Sequence, residues 1–229
     1  MNQITFQRVI EMNKNIKVKQ PMLPPHLDEK TFNVPQDHII SNCIIESCTI
    51  TNDDVERLIF EQVIFNNVVF EEINWPRAEF TDVQFINCDL SNADFSESIL
   101  HRVEFIDCKM LGIILADATF GNVLFKNGHA NLSSFGFSKM KQVIFDSCAL
   151  EQTDFYECEF NKVGFDACHL NEANFANTSL TGVDLSNSFF ERLQITLDGL
   201  KGCTVTNEQA VGFAKALGLR VKDTEEGEL

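Results

Sequence analysis

Starting at Ile40, every fifth residue of this chain is apolar, and the rule holds without a slip to Leu200, thirty-three positions in all. Only Ala130 among them is small. A helix advances about 100° per residue, so a strict step of five would carry the apolar residue around every side. A strand alternates with a period of two and would put successive centres on opposite faces. The chain must instead turn a corner after each unit, so that every centre faces one axis. That is a solenoid, in which each coil is completed by its neighbours. The composition agrees: 21 Phe against one Trp and one Tyr suggests one packing slot used many times.

Two residues before each centre lies a second inward register of small or medium residues, such as Val63, Val83, Cys88, Ala93, Val103, Cys108, Val143, Cys148 and Ala173. The other three registers are largely Asp, Asn, Glu, Ser, Lys and Gln. Ala93–Asp94–Phe95, Ala173–Asn174–Phe175, Cys88–Asp89–Leu90, Thr153–Asp154–Phe155 and Val183–Asp184–Leu185 resemble the A(D/N)LXX unit of the pentapeptide-repeat family. The resemblance covers residues 38 to 200. It implies an all-β solenoid: a right-handed quadrilateral β-helix of about eight coils, each of four pentapeptides and twenty residues. On that reading Phe65, Phe85, Phe105, Phe125, Phe145 and Phe165 stack as one core ladder, and Cys48, Cys88, Cys108, Cys148 and Cys168 fall on one column.

The eight cysteines all occupy the small inward register and no CxxC occurs. A zinc site needs ligands converging on one point, whereas a ladder spreads them along an axis. They read as small core residues and free thiols in a reducing cytoplasm. No metal site and no cofactor are expected.

The ends break the pattern. Residues 1–36 carry Pro21, Pro24, Pro25 and Pro35 and a mildly basic run around Lys14, Lys17 and Lys19; they read as an N-terminal arm that caps the open first coil. Residues 37–200 are the solenoid. Residues 201–221 read as a helix-plus-strand module, with Thr206 or Asn207 as N-cap, Val211, Phe213, Ala214 and Leu217 at helical spacing, and Gly218 as C′. Residues 222–229 are expected to be a disordered acidic tail. The resemblance implies that the C-terminal module pairs two chains tail to tail. Phe213 and Leu217 exceed what one small coil end can bury, so a homodimer interface is expected at Val211, Phe213, Ala214 and Leu217, with a monomeric cap as the alternative.

Charge is lopsided: 34 acidic against 18 basic residues give −16, which excludes surfaces that bind DNA or anionic membranes through clustered positive charge. No stretch approaches the ~18 apolar residues of a membrane span. Residues 118–145 contain no acid and carry Lys126, Lys139 and Lys141, a basic belt between two acidic zones. The belt also holds Gly121, Gly128, Gly136 and Ala130, a thinner core that could narrow or kink the shaft. Trp75 is the largest centre, and Pro76 is the only proline in the repeats; they read as a local bulge or as a recognition feature.

There is no nucleophile elbow, phosphate-binding glycine loop or HExxH, and no pair of carboxylates is set in a sheltered cleft. An enzyme is not expected. Two readings of function remain. The resemblance to Qnr-like members implies a DNA mimic acting on a type II topoisomerase, DNA gyrase or topoisomerase IV, and protecting it from quinolones. The acidic face would then comprise Glu151, Asp154, Glu157, Glu159, Asp166, Glu172 and Asp184. The alternative is an interaction scaffold with an unrelated protein partner. A continuous acidic stripe favours mimicry; acids on all four faces favour the scaffold.

Overall fold

The computed structural model describes residues 9–12, 16–51, 54–216 and 218–222. Leu217 and the tail from 223 onward lie outside the described residues. In chain order the elements are β1 (Val9–Met12), β2 (Ile16–Lys19), β3 (Asp28–Glu29), β4 (Ile39–Glu46), β5 (Thr49–Thr51), β6 (Ile59–Asn66), β7 (Val69–Glu71), β8 (Glu79–Ile86), β9 (Ile99–Ile106), β10 (Thr119–Lys126), β11 (Lys139–Asp146), β12 (Glu159–Asp166) and α1 (Asn207–Ala216). The eight-stranded sheet runs β3-β4-β6-β8-β9-β10-β11-β12. Its pairs are parallel, and from β4 onward each residue sits beside the one twenty positions later, as in Phe65↔Phe85 and Phe125↔Phe145.

The corner is made by a left-handed residue two places after each centre. Gln62, Asn67, Glu72 and Arg77 in one coil all have positive φ, and so do Asn122, Asn127, Leu132 and Phe137 three coils on. Each eight-residue strand therefore bends in its middle and spans two faces of a four-sided shaft. The faces are named here by their centres: the first by Phe60, Phe80 and Phe120, the second by Phe65, Phe85 and Phe105, the third by Phe70, Leu90 and Met110, the fourth by Trp75, Phe95 and Phe135.

Packing explains why Phe recurs. Phe65, Phe85, Phe105, Phe125, Phe145 and Phe165 stack with ring centroids 4.7–5.0 Å apart and planes within 8°. A flat ring matches the spacing of adjacent β-layers, about 4.8 Å. The small register serves the backbone: Cys88, Ser133, Thr153, Cys158 and Thr178 each donate to the carbonyl of the residue 23 positions earlier. A buried carbonyl with a spare lone pair thus gains a partner. All eight cysteines are free thiols. Burial pushes the thiols of Cys43 and Cys158 up, and that of Cys203 to about 11.

Two expected irregularities are absorbed. Trp75 is fully buried and stacks between Phe95 at 5.8 Å and Phe32 of the N-terminal segment at 5.5 Å. The chain on either side of Pro76 keeps its ladder, with Trp75 N–H donating to Asp94 and Arg77 N–H to Ser96. The equivalent N–H in other coils, at Ser96 and Tyr156, is tied to a side chain and not to the next layer, so proline there costs no rung. Around Ala130 the ladder is also continuous, and the Met110 methyl occupies the space beside Gly128 that a side chain there would take.

The count of coils differs from the sequence expectation. Seven long strands, from β4 to β12, mark about six regular turns. Beyond them only isolated bridges remain, His169↔Phe189, Asn174↔Gln194 and Asp184↔Thr204. Glu172 N–H reaches Arg192, twenty on, where Gln152 N–H reaches Asn171, nineteen on. The apolar five-step pattern outlasts the regular backbone through Ile195 and Leu200.

Candidate interaction surfaces

The filled core leaves the outer faces as the surfaces available to a partner. The seven candidate acids do not share one of them. Glu159 lies on the first face, where Lys139 approaches it at 3.8 Å. Asp184 lies on the second face and Asp166 at its far edge, where it accepts from Asn187. Glu151 and Glu172 flank the corner of the third and fourth faces, and Glu172 is ion-paired to Arg192. Asp154 sits on the fourth face, accepting from Asn174 at 2.8 Å and from the Tyr156 N–H at 3.2 Å. Glu157 stands at the corner between the fourth and first faces.

The basic belt divides as well. Lys139 and Lys141 share the first face. Lys126 stands at the far edge of the second, 4.0 Å from Asp146. At the C-terminal end, Thr206 and Gln209 form a reciprocal capping box for α1. The Gln209 amide also reaches the carbonyls of Leu185 and Ser188, which ties the helix to the last coil. Val211, Phe213 and Ala214 are only half-buried, and Phe213 meets Phe190 at 5.7 Å. An open groove of about 950 Å³ runs between α1 and the shaft, lined by His169, Phe189, Phe213 and Lys215 among others.

The sequence reading did not anticipate the course of the N-terminal segment. Phe32 and Val34 pack on the end of the core, but β2 lies far from that end. It pairs with β1 as a hairpin and buries Ile16 and Val18 against Leu124 and Ile144 on the second face. Corner side chains hold its backbone: Lys19 N–H donates to Asn122, Met22 N–H to Asp82, while Gln142 and Gln62 donate to the carbonyls of Lys17 and Met22. The segment is therefore a strap along five coils. Beneath it Asp82 and Glu104 are buried at 4% and 2% exposure. Arg102 is ion-paired with Asp82 at 2.5 Å, and Glu104 accepts from Gln20 and Gln84. His101 touches Arg102, and burial followed by the Arg102 and Lys19 charges holds its pKa below the usual histidine value, with Asp82 opposing. Among the described residues no group of three or more His, Cys, Asp or Glu is placed to hold a metal, and no helix is long and apolar enough to cross a membrane.

The chain is similar to several known proteins. The uncharacterised protein YisX of Bacillus subtilis strain 168 is 47% identical over 123 residues, covering 54% of this chain. The chain thus spans 58% of that relative. Among solved structures, full-length QnrB1, a plasmid-mediated fluoroquinolone resistance protein, aligns at 14% identity and a TM-score of 0.43, over 77% of this chain and all of that one. HetL of Nostoc sp. strain PCC 7120, a pentapeptide repeat protein involved in heterocyst differentiation regulation, aligns at 11% identity and a TM-score of 0.35, over 74% of this chain and 90% of that one. The family profile described as a pentapeptide repeat region matches residues 78–145 and 138–213, more than half of the chain. With its five-residue units, left-handed corners and stacked centres, the chain belongs to the pentapeptide-repeat family.

Proposed function

We propose that this chain is a non-enzymatic docking rod that binds a protein partner through its outer faces. The observation that supports a scaffold over a DNA mimic is the placement of the acids. Glu151, Asp154, Glu157, Glu159, Asp166, Glu172 and Asp184 are spread around all four faces, and Glu159 and Glu172 already face bases. A mimic of duplex DNA needs uncompensated charge in ordered rows, about one per 1.7 Å of axis. The rod acts in the cytoplasm on this reading, which its eight free thiols favour.

Mimicry of DNA towards DNA gyrase or topoisomerase IV is the second reading. The net charge of −16 favours it, and so does the half-exposed apolar side of α1, which would join two chains as a homodimer. Titrating the full chain into a gyrase supercoiling reaction, with and without ciprofloxacin, separates the two. The docking-rod reading expects no change in either arm. Inhibition, or rescue from the drug, would move the assignment to the topoisomerase.

A further inference from the structure

One stretch of the shaft departs from the repeat on its outside. At the left-handed corner positions from Asn42 to Gly182, the described residues are polar, two glycines or Ala167, with two exceptions: Leu132 and Phe137. Both have φ near 61° and both are exposed, at 57% and 50%. A bulky apolar side chain in the left-handed region is an outlier, and neither residue belongs to the buried core. Phe137 leans edge-on against Tyr156 at 5.4 Å.

The coil below continues the departure. Ile114 occupies the column where Asp94, Asp154 and Asn174 accept the N–H two residues on, so isoleucine there forgoes a turn cap. Ile114 and Leu111 are 37% and 47% exposed. Four large apolar side chains therefore border one face over two adjacent coils, all exposed to water and two of them in the left-handed region. Outliers that the fold does not require cluster where function does.

The surroundings say what would cover this patch. Asp94 and Asp154 lie below and above Ile114 and Ser134 in the same column, Asp117 and Glu157 bracket Phe137, and Glu151 stands by Leu132. None of these five carboxylates is ion-paired to a base among the described residues. A second copy placed face to face would bring these acids together, and a nucleic acid would be repelled.

We infer that Leu111, Ile114, Leu132 and Phe137 form a docking patch for a protein segment with an aliphatic stripe flanked by Lys or Arg, such as a basic amphipathic helix. The inference rests on the docking-rod reading and gives that rod its site. Aliphatic side chains would pack between Leu132 and Phe137 while the flanking bases meet the acidic rim.

The test uses the full chain and a fluorescent amphipathic leucine–lysine peptide, followed by anisotropy. Leu132→Asn with Phe137→Asn keeps residues that suit a left-handed corner, so the shaft is retained, as a thermal melt can verify. This double variant should bind at least about tenfold more weakly than the wild type. Asp154→Asn with Glu157→Gln should leave the patch but flatten the salt dependence. Equal affinity for wild type and the Asn variant, or no peptide binding by the wild type, would overturn the inference. Neither result bears on the topoisomerase assay, which judges the broader reading separately.

Discussion

Phe125→Ala would place a cavity in the middle of the ring ladder. Phe125 is fully buried, stacked on Phe105 at 4.8 Å and Phe145 at 4.7 Å, and meets Phe135 edge-on at 5.8 Å. Removing the ring forfeits about 2–3 kcal/mol of transfer free energy. Loss of two stacked pairs adds about 1 kcal/mol or more. The flat rings on either side are held by their own layers and cannot collapse inward, so the residual cavity takes the total to about 4–5 kcal/mol. In a solenoid the damage is local and weakens the coupling between the coils on either side. Urea unfolding followed by two probes reads this directly. Trp75, the only tryptophan, reports the N-terminal coils, while far-ultraviolet circular dichroism reports the whole shaft. The two transitions should separate in the variant, with the dichroism midpoint falling well below that of the wild type. A loss under about 1 kcal/mol, with the two probes coincident, would mean that Phe125 does not lie between Phe105 and Phe145, and the twenty-residue register would be refuted.

Val18→Asp should release the strap without unfolding the shaft, because it puts a charge against Leu124 and Ile144; limited trypsin digestion should then cut after Lys17 and Lys19 far faster than in the wild type. Gln209→Ala removes half of the capping box and two bonds to the last coil, so α1 should lose about 1–2 kcal/mol of local stability, read as faster amide exchange over residues 207–216. His101 has a lowered pKa in the folded chain, so the unfolded state takes up its proton first as pH falls below about 6.5. That part of the stability is present above this range and is lost on acidification, and His101→Gln should flatten the pH profile of the thermal midpoint between about 5 and 7.

The interior of this protein is legible in its sequence because a single period fixes both which residues point inward and which layer they meet. Phe65 and Phe85 are twenty apart for the same reason that they stack. The outside is less legible. Contacts of the strap, such as Gln142 with Lys17, join residues 125 positions apart, and nothing in the local spacing of Ile16 and Val18 says which face they cover. Acidic residues counted along the chain lose their grouping when the shaft turns, since each step of five moves a residue by one face; Asp154 and Glu159 are neighbours in sequence and sit on different sides. The end of the long strands after β12 is invisible because Ile195 and Leu200 keep the apolar phase beyond it. The departure at Leu132 and Phe137 did carry a sequence signal. Both fall in a register that from 42 to 192 is otherwise polar or small, and reading that register as a corner position marks them.

On the docking-patch inference, residues facing inward serve the shaft, whereas Leu132 and Phe137 serve a partner at the expense of the shaft. The most direct test is the unfolding free energy of the Leu132→Asn, Phe137→Asn double variant, measured by urea titration alongside its affinity for the leucine–lysine peptide. Relief of two left-handed bulky residues should raise stability by about 1 kcal/mol while peptide affinity falls. A variant that is less stable than the wild type and binds the peptide equally well would show that these side chains belong to the fold, and would contradict the account.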